Sequence, residues 1–76
     1  MINVGDLVLV TAGVRDLENM GITTTDSRDM VRSVAKVLET SPNSSIPTCR
    51  IKSENVSRYW WVDTRGLSLV KERINV

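Results

Sequence analysis

The run Tyr59-Trp60-Trp61 constrains this chain more than any other segment. It holds both tryptophans and the only tyrosine of a sequence without phenylalanine. It opens the stretch YWWVDTRGLSLV, Tyr59 to Val70, which reads as a strand, a tight turn and a short strand. Successive side chains of a strand point to opposite faces, so three adjoining rings cannot all enter one core. Val62 is the natural core residue here, which places Trp60 inside with it and leaves Tyr59, Trp61 and Asp63 on the opposite face. That face is the first candidate for a contact surface.

A chain of 76 residues has room for a single domain, 1–76, and must pack well to be stable. Cys49 is the only cysteine, so no internal disulfide helps. A lone cysteine fits a reducing compartment. The start, MINVGDLVLV, carries Asp6 early and lacks a basic leader, which makes it a poor signal peptide. Its clean apolar run, Leu7 to Val10, is far too short to span a membrane. The expectation is a soluble cytoplasmic protein without membrane contact.

Ten basic and nine acidic side chains leave a net charge of +1, which gives no global steering toward nucleic acid. There is no histidine. One cysteine alone cannot build the usual zinc constellations, and the commonest general base is missing. Cys49 lacks a base to activate it as a nucleophile and reads as a small core residue beside Ile51. No enzymatic activity, metal or cofactor is expected. The acids Asp16, Glu18, Asp26 and Asp29 lack calcium-loop spacing and have Arg15, Arg28 and Arg32 among them as salt partners.

Along the chain, Val4-Gly5-Asp6 reads as a turn and Leu7 to Thr11 as a strand rich in β-formers. Ala12 to Asp29 is polar, with apolar pins at Val14, Leu17, Met20 and Ile22, and reads as a long irregular loop. Loops of that length in small domains tend to be functional. Residues 27–40 are ambiguous. Met30, Val31, Val34, Val37 and Leu38 have helical spacing, with Asp26 or Ser27 as cap, yet Val34 to Thr40 also reads as a strand. Ser41 to Ser45 is a turn, Ile46 to Ser53 a strand, and Glu54 to Ser57 a turn. Arg58 to Asp63 is the aromatic strand, Thr64 to Gly66 a tight turn, and Leu67 to Val70 a last strand. The tail 71–76 is charged and reads as loosely held.

The opening VGDLVLV and the ending YWWVDTRGLSLV, with five strands in this order, resemble the Src-homology-3-like small barrel. They are closest in style to stand-alone barrels, KOW-like or Mind-bomb-like, of phage and bacterial genomes. The resemblance implies an all-β, five-stranded, partly open barrel. It also turns residues 34–40 toward strand, against the alternative of an α+β fold with a helix at about 27–40. Its implied core is Val4, Leu7, Leu9, Val34 or Ala35, Val37, Cys49, Ile51, Trp60, Val62, Leu67 and Leu69. Such barrels often carry a glycine just before the second strand, where this chain has Arg32 or Ser33. The tyrosine pattern that grips proline-rich peptides is absent, so that activity is not implied.

The candidate binding residues are Tyr59, Trp61, Arg50, Lys52 and Arg58, with Arg65 nearby in sequence. Exposed tryptophan is the residue that most often dominates an interface. Basic groups interleaved with flat rings also suit single-stranded nucleic acid, although Glu54 and Asp63 would blunt such a patch. The expected function is a small binding module, an accessory protein of phage or bacterial style, docking on another protein through this face and the 12–29 loop. Nucleic-acid binding through the same face is the rival, and self-association through exposed strand edges is the third reading.

Overall fold

The computed structural model describes residues 2–41 and 45–70. Within them lie five strands and two short helices: β1 Leu7–Val10, α1 Val14–Asn19, α2 Thr24–Met30, β2 Val34–Ser41, β3 Thr48–Ser53, β4 Tyr59–Asp63 and β5 Leu67–Leu69. A single 3-10 turn, Thr64–Gly66, joins β4 to β5. The strands form one antiparallel sheet in the order β4-β3-β2-β1-β5. The sheet stays open, with β4 and β5 as its edges, and does not close into the expected barrel. Of the expected turn at 41–45, residues 42–44 lie outside the described residues, as does the tail at 71–76, and Ser41 instead ends β2.

The 12–29 segment is not an irregular loop. Thr23 sits in extended geometry and its hydroxyl accepts from the Asp26 amide at 3.4 Å, capping α2. That cap supplies a partner for an amide the first helical turn leaves orphaned. The Thr24 hydroxyl donates to Glu18 Oε2 at 2.6 Å and ties α2 to α1. Leu17, Ile22 and Met30 are buried in one cluster with Val8, Val10, Ala35, Val37, Ile51 and Val62. The helices are therefore the lid over the inner face of the sheet. Burying a side chain such as Leu17 or Met30 contributes roughly 1.5–3 kcal/mol. Residues too short to form stable helices alone become helical because the sheet needs a cover.

Residues 34–41 are a strand, and the 27–40 helix is confined to the end of α2 at Met30. Between α2 and β2, Arg32 adopts φ 62. This left-handed geometry favours glycine, yet the residue here is arginine. The Arg32 amide donates to Val10 O at 3.0 Å and holds the crossing. Beside it, Ser33 Oγ donates to Met30 O at 2.7 Å and lies 2.7 Å from Ser53 Oγ, which accepts from the Asn55 amide. Both hydroxyls are buried and satisfied.

The main correction within the sheet is the phase of β1. Val8 and Val10 face inward and are fully buried, while Leu7 is 45% and Val4 62% exposed and Leu9 is half-buried. The expected core set Val4, Leu7, Leu9 is thus displaced by one residue. A strand apolar on both faces does not declare its phase, and a slip of one residue exchanges every side chain. Leu69, also expected inside, is exposed at the β5 edge. Ala35, Val37, Cys49, Ile51, Val62 and Leu67 are buried as expected. Val8→Ala should cost roughly 2 kcal/mol and Leu7→Ala less than about 0.5, read by urea unfolding; equal costs would contradict this phase. Arg32→Gly should raise the melting temperature by a few degrees, since left-handed backbone costs a non-glycine residue about 1 kcal/mol, whereas Arg32→Val should lower it.

Candidate functional site

The outer face of the sheet is built by four antiparallel strands. Arg50 of β3 stands opposite Trp61 of β4, and Lys52 opposite Tyr59. On the other side of β3, Lys52 faces Lys36 of β2, and Arg50 faces Glu39. Lys36 in turn faces Leu7 of β1. These pairs place Tyr59, Trp61, Arg50, Lys52, Lys36 and Leu7 on one surface, away from the helices.

The indoles diverge as an extended backbone requires. Trp60 packs against the core, and its Nε1–H donates to Asp26 Oδ2 of α2 at 2.9 Å. Trp61 is 44% and Tyr59 52% exposed. The inward ring thus anchors the helical lid to the edge strand, and the outward ring is presented to solvent. Asp26, expected in the 12–29 loop or as the cap of a later helix, lies in the first turn of α2. Its signal was legible as a threonine, Thr23, three residues ahead of an acid, the pattern of a helix start.

A register shift in β2 between Val37 and Glu39 shapes the middle of the surface. Leu38 is the extra residue, and the shift carries Glu39 to the outer face. There Arg50 Nη1 lies 3.5 Å from Glu39 Oε1. The Arg50 guanidinium also lies 4.9 Å from the centroid of the Tyr59 ring, within cation–π range. Arg50 therefore bridges a carboxylate on one side and an aromatic face on the other. Lys52 Nζ donates to Ser53 O at 2.8 Å. Lys36 and Lys52 remain directly opposite each other, an arrangement of like charges that disfavours the sheet unless an anionic group lies between them.

Arg58 is exposed in the turn before β4. It has no hydrogen bond or ion pair to another described residue. Arg65 does not join the basic patch. Its Nη2 is 2.7 Å and its Nε 3.0 Å from Asp63 Oδ2, and its amide donates to Asp63 Oδ1 at 2.8 Å. Asp63 caps the 3-10 turn, and the two charges satisfy each other. Asp63 consequently does not blunt Arg50 and Lys52 as expected. Glu54 is occupied too, its Oε2 accepting from the Val34 amide at 3.3 Å.

Cys49 is buried beside Val62 and Ile51, and burial pushes its thiol pKa up, which suits a packed and unreactive group. Two open clefts lie at the ends of the sheet. One, about 530 Å³, is bordered by Asp16, Asn19, Asp63 and Arg65. The other, about 570 Å³, is bordered mainly by Ile2, Pro47, Thr48 and Cys49. In the first, Asp63 and Arg65 are engaged with each other. Among the described residues no group of three or more potential metal ligands occurs, and no helix is long and apolar enough to cross a membrane.

Hydrogen bonds from the Arg65 side chain, then from its amide, hold the Asp63 carboxyl below the usual carboxylate range. A lowered folded-state pKa stabilises the fold fully above the unfolded value of about 3.9 and is lost as pH falls through the folded value. Asp63→Asn should therefore be less stable than the parent at neutral pH, and the gap should narrow below about pH 4, read by unfolding across pH 2–7. A gap that does not change with pH would contradict this role. Comparison of the chain with family models, with curated proteins and with solved structures found no match.

Proposed function

We infer that this chain is a small non-enzymatic docking module that binds another protein through the outer face of its sheet. The observation that carries this reading is one surface, left open by the described residues, on which the exposed Tyr59 and Trp61 lie beside Arg50, Lys52 and Lys36. The rings supply apolar area with little conformational entropy to lose. The cations supply orientation. Arg58, one residue before β4, extends the basic margin. The fifth strand, returned beside the first after a 3-10 turn, supports kinship with Src-homology-3-like small barrels in an opened form. In that reading the protein acts in the cytoplasm as an accessory factor of phage or bacterial style.

Protein is favoured over nucleic acid by the state of the ring faces. A stacking platform needs bare aromatic faces and free cations. One face of Tyr59 is already covered by Arg50, and Arg50 is shared with Glu39. What stays open is the apolar area of Trp61 and the Lys36–Lys52 pair, which suits a partner presenting an apolar residue next to a carboxylate.

Affinity capture from cell lysate with the parent, Trp61→Ala and the double variant Lys36→Glu, Lys52→Glu tests this. Trp61→Ala should weaken partner binding by roughly 30-fold, as loss of about 2 kcal/mol at a binding hot spot does, and the charge reversal should weaken it further. Equal recovery of the same partners by all three forms would remove this surface. Tight binding of a single-stranded oligonucleotide, falling steeply with salt, would assign the face to nucleic acid instead.

A further inference from the structure

The backbone of β4 offers a second recognition element, separate from the face just described. The Thr64 amide donates to Pro47 O at 3.1 Å, which makes 47 and 64 a hydrogen-bonded pair of the β3–β4 ladder. Such pairs alternate along an antiparallel ladder, so Cys49–Val62 and Ile51–Trp60 are also bonded pairs. The other side of β3 agrees, because the Glu54 amide donates to Val34 O at 3.0 Å. That bond turns the alternate residues of β3 toward β2. Tyr59, Trp61 and Asp63 are therefore the β4 residues whose N–H and C=O groups point away from β3. At this edge of the sheet no described strand receives them.

Edges of this kind are normally blunted by lysine, proline, a bulge or an inward charge. β4 (YWWVD) contains none of these devices before Asp63, at its very end. We propose that the occupant is a second copy of this chain, paired β4 to β4, antiparallel, about a two-fold axis at Trp61.

The register follows from matching groups. Centring on Trp61 sets Trp61 opposite its own copy and Tyr59 opposite Asp63 of the other chain. All three outward residues of each strand then form bonded pairs, and the Tyr59 hydroxyl meets a carboxylate. Inward, Trp60 meets Val62, so the two cores become continuous. Arg58 faces Thr64, and no like charges oppose. Centring on Trp60 instead sets Arg58 against the buried Val62. Centring on Val62 strands Tyr59 beyond the partner's strand. The chosen pairing joins two outer faces into one surface with both Trp61 rings at its centre. It goes beyond the docking reading and does not depend on it.

Sedimentation equilibrium from about 10 µM to 1 mM, the range in which a modest self-association is populated, reads the mass. The parent should rise from 8.5 kDa toward twice that mass. Trp61→Lys, which sets ammonium against ammonium at the axis, should stay monomeric with unchanged circular dichroism. Oxidation of a Trp61→Cys variant should cross-link the pair, because bonded partners lie about 5.5 Å apart between Cα atoms, within disulfide reach. Tyr59→Cys should not, its two copies being about 13 Å apart in this register. Cys49 is buried and does not compete. A parent that stays monomeric throughout, a Trp61→Lys variant that still dimerises, or cross-linking through position 59 in place of 61 would overturn the proposal. If Trp61→Lys does not fold, the two cysteine variants decide it.

Discussion

The structure turns on the hydrogen bond between the Trp60 indole and Asp26. It spans 34 residues of sequence and joins the helical lid to the edge strand of the sheet. With Trp60 committed inward, the pleat of β4 sends Tyr59 and Trp61 outward together. The same strand thus fastens the core on one side and builds the exposed surface on the other. A second bond, from the Asn55 side-chain amide to Asp29 O at 3.1 Å, ties the end of α2 to the turn between β3 and β4. The inner indole decides both the packing of the lid and the face left to solvent.

Electrostatics on that outer face are arranged by pairing rather than by net charge. Arg65 and Asp63 neutralise each other at the end of β4. The β2 register shift brings Glu39 to Arg50, and Arg50 in turn lies over Tyr59. These contacts are exposed, and like surface ion pairs in general each contributes little to stability. Their effect is positional. They fix where the guanidinium lies and leave the two facing lysines as the concentrated positive charge. A chain with net charge +1 can therefore present a locally basic, aromatic surface.

Four of the five strands, the tight turn at Thr64–Gly66 and the divergence of the two indoles were legible in the sequence because each rests on local signals, whereas β2 lies in a segment whose pattern fits helix and strand alike. Alternation in TCRIKS and YWWVD declares its phase through residues of opposite character on the two faces. LVLV carries no such contrast, so its phase depends on contacts with α1, α2 and β2 that only the fold supplies. The two helices were hidden for a related reason. At 6 and 7 residues they are too short for a periodic pattern to stand out, and they are rich in polar side chains because only Leu17, Ser27 and Met30 face the sheet. For the surface, Tyr59, Trp61, Arg50 and Lys52 were found from strand alternation. Lys36 was missed because the 27–40 segment fitted helix and strand alike. Arg65 was set beside the basic residues by proximity in sequence, and its bond to Asp63 removes it.

The most direct test of the account is the solvent accessibility of each indole measured separately. Single-tryptophan proteins made by Trp60→Phe and Trp61→Phe allow this by acrylamide quenching and emission maximum. The account predicts that the protein retaining Trp61 quenches faster and emits further to the red, with Trp60 the shielded and bluer fluorophore. Equal quenching of the two, or a more accessible Trp60, would contradict it.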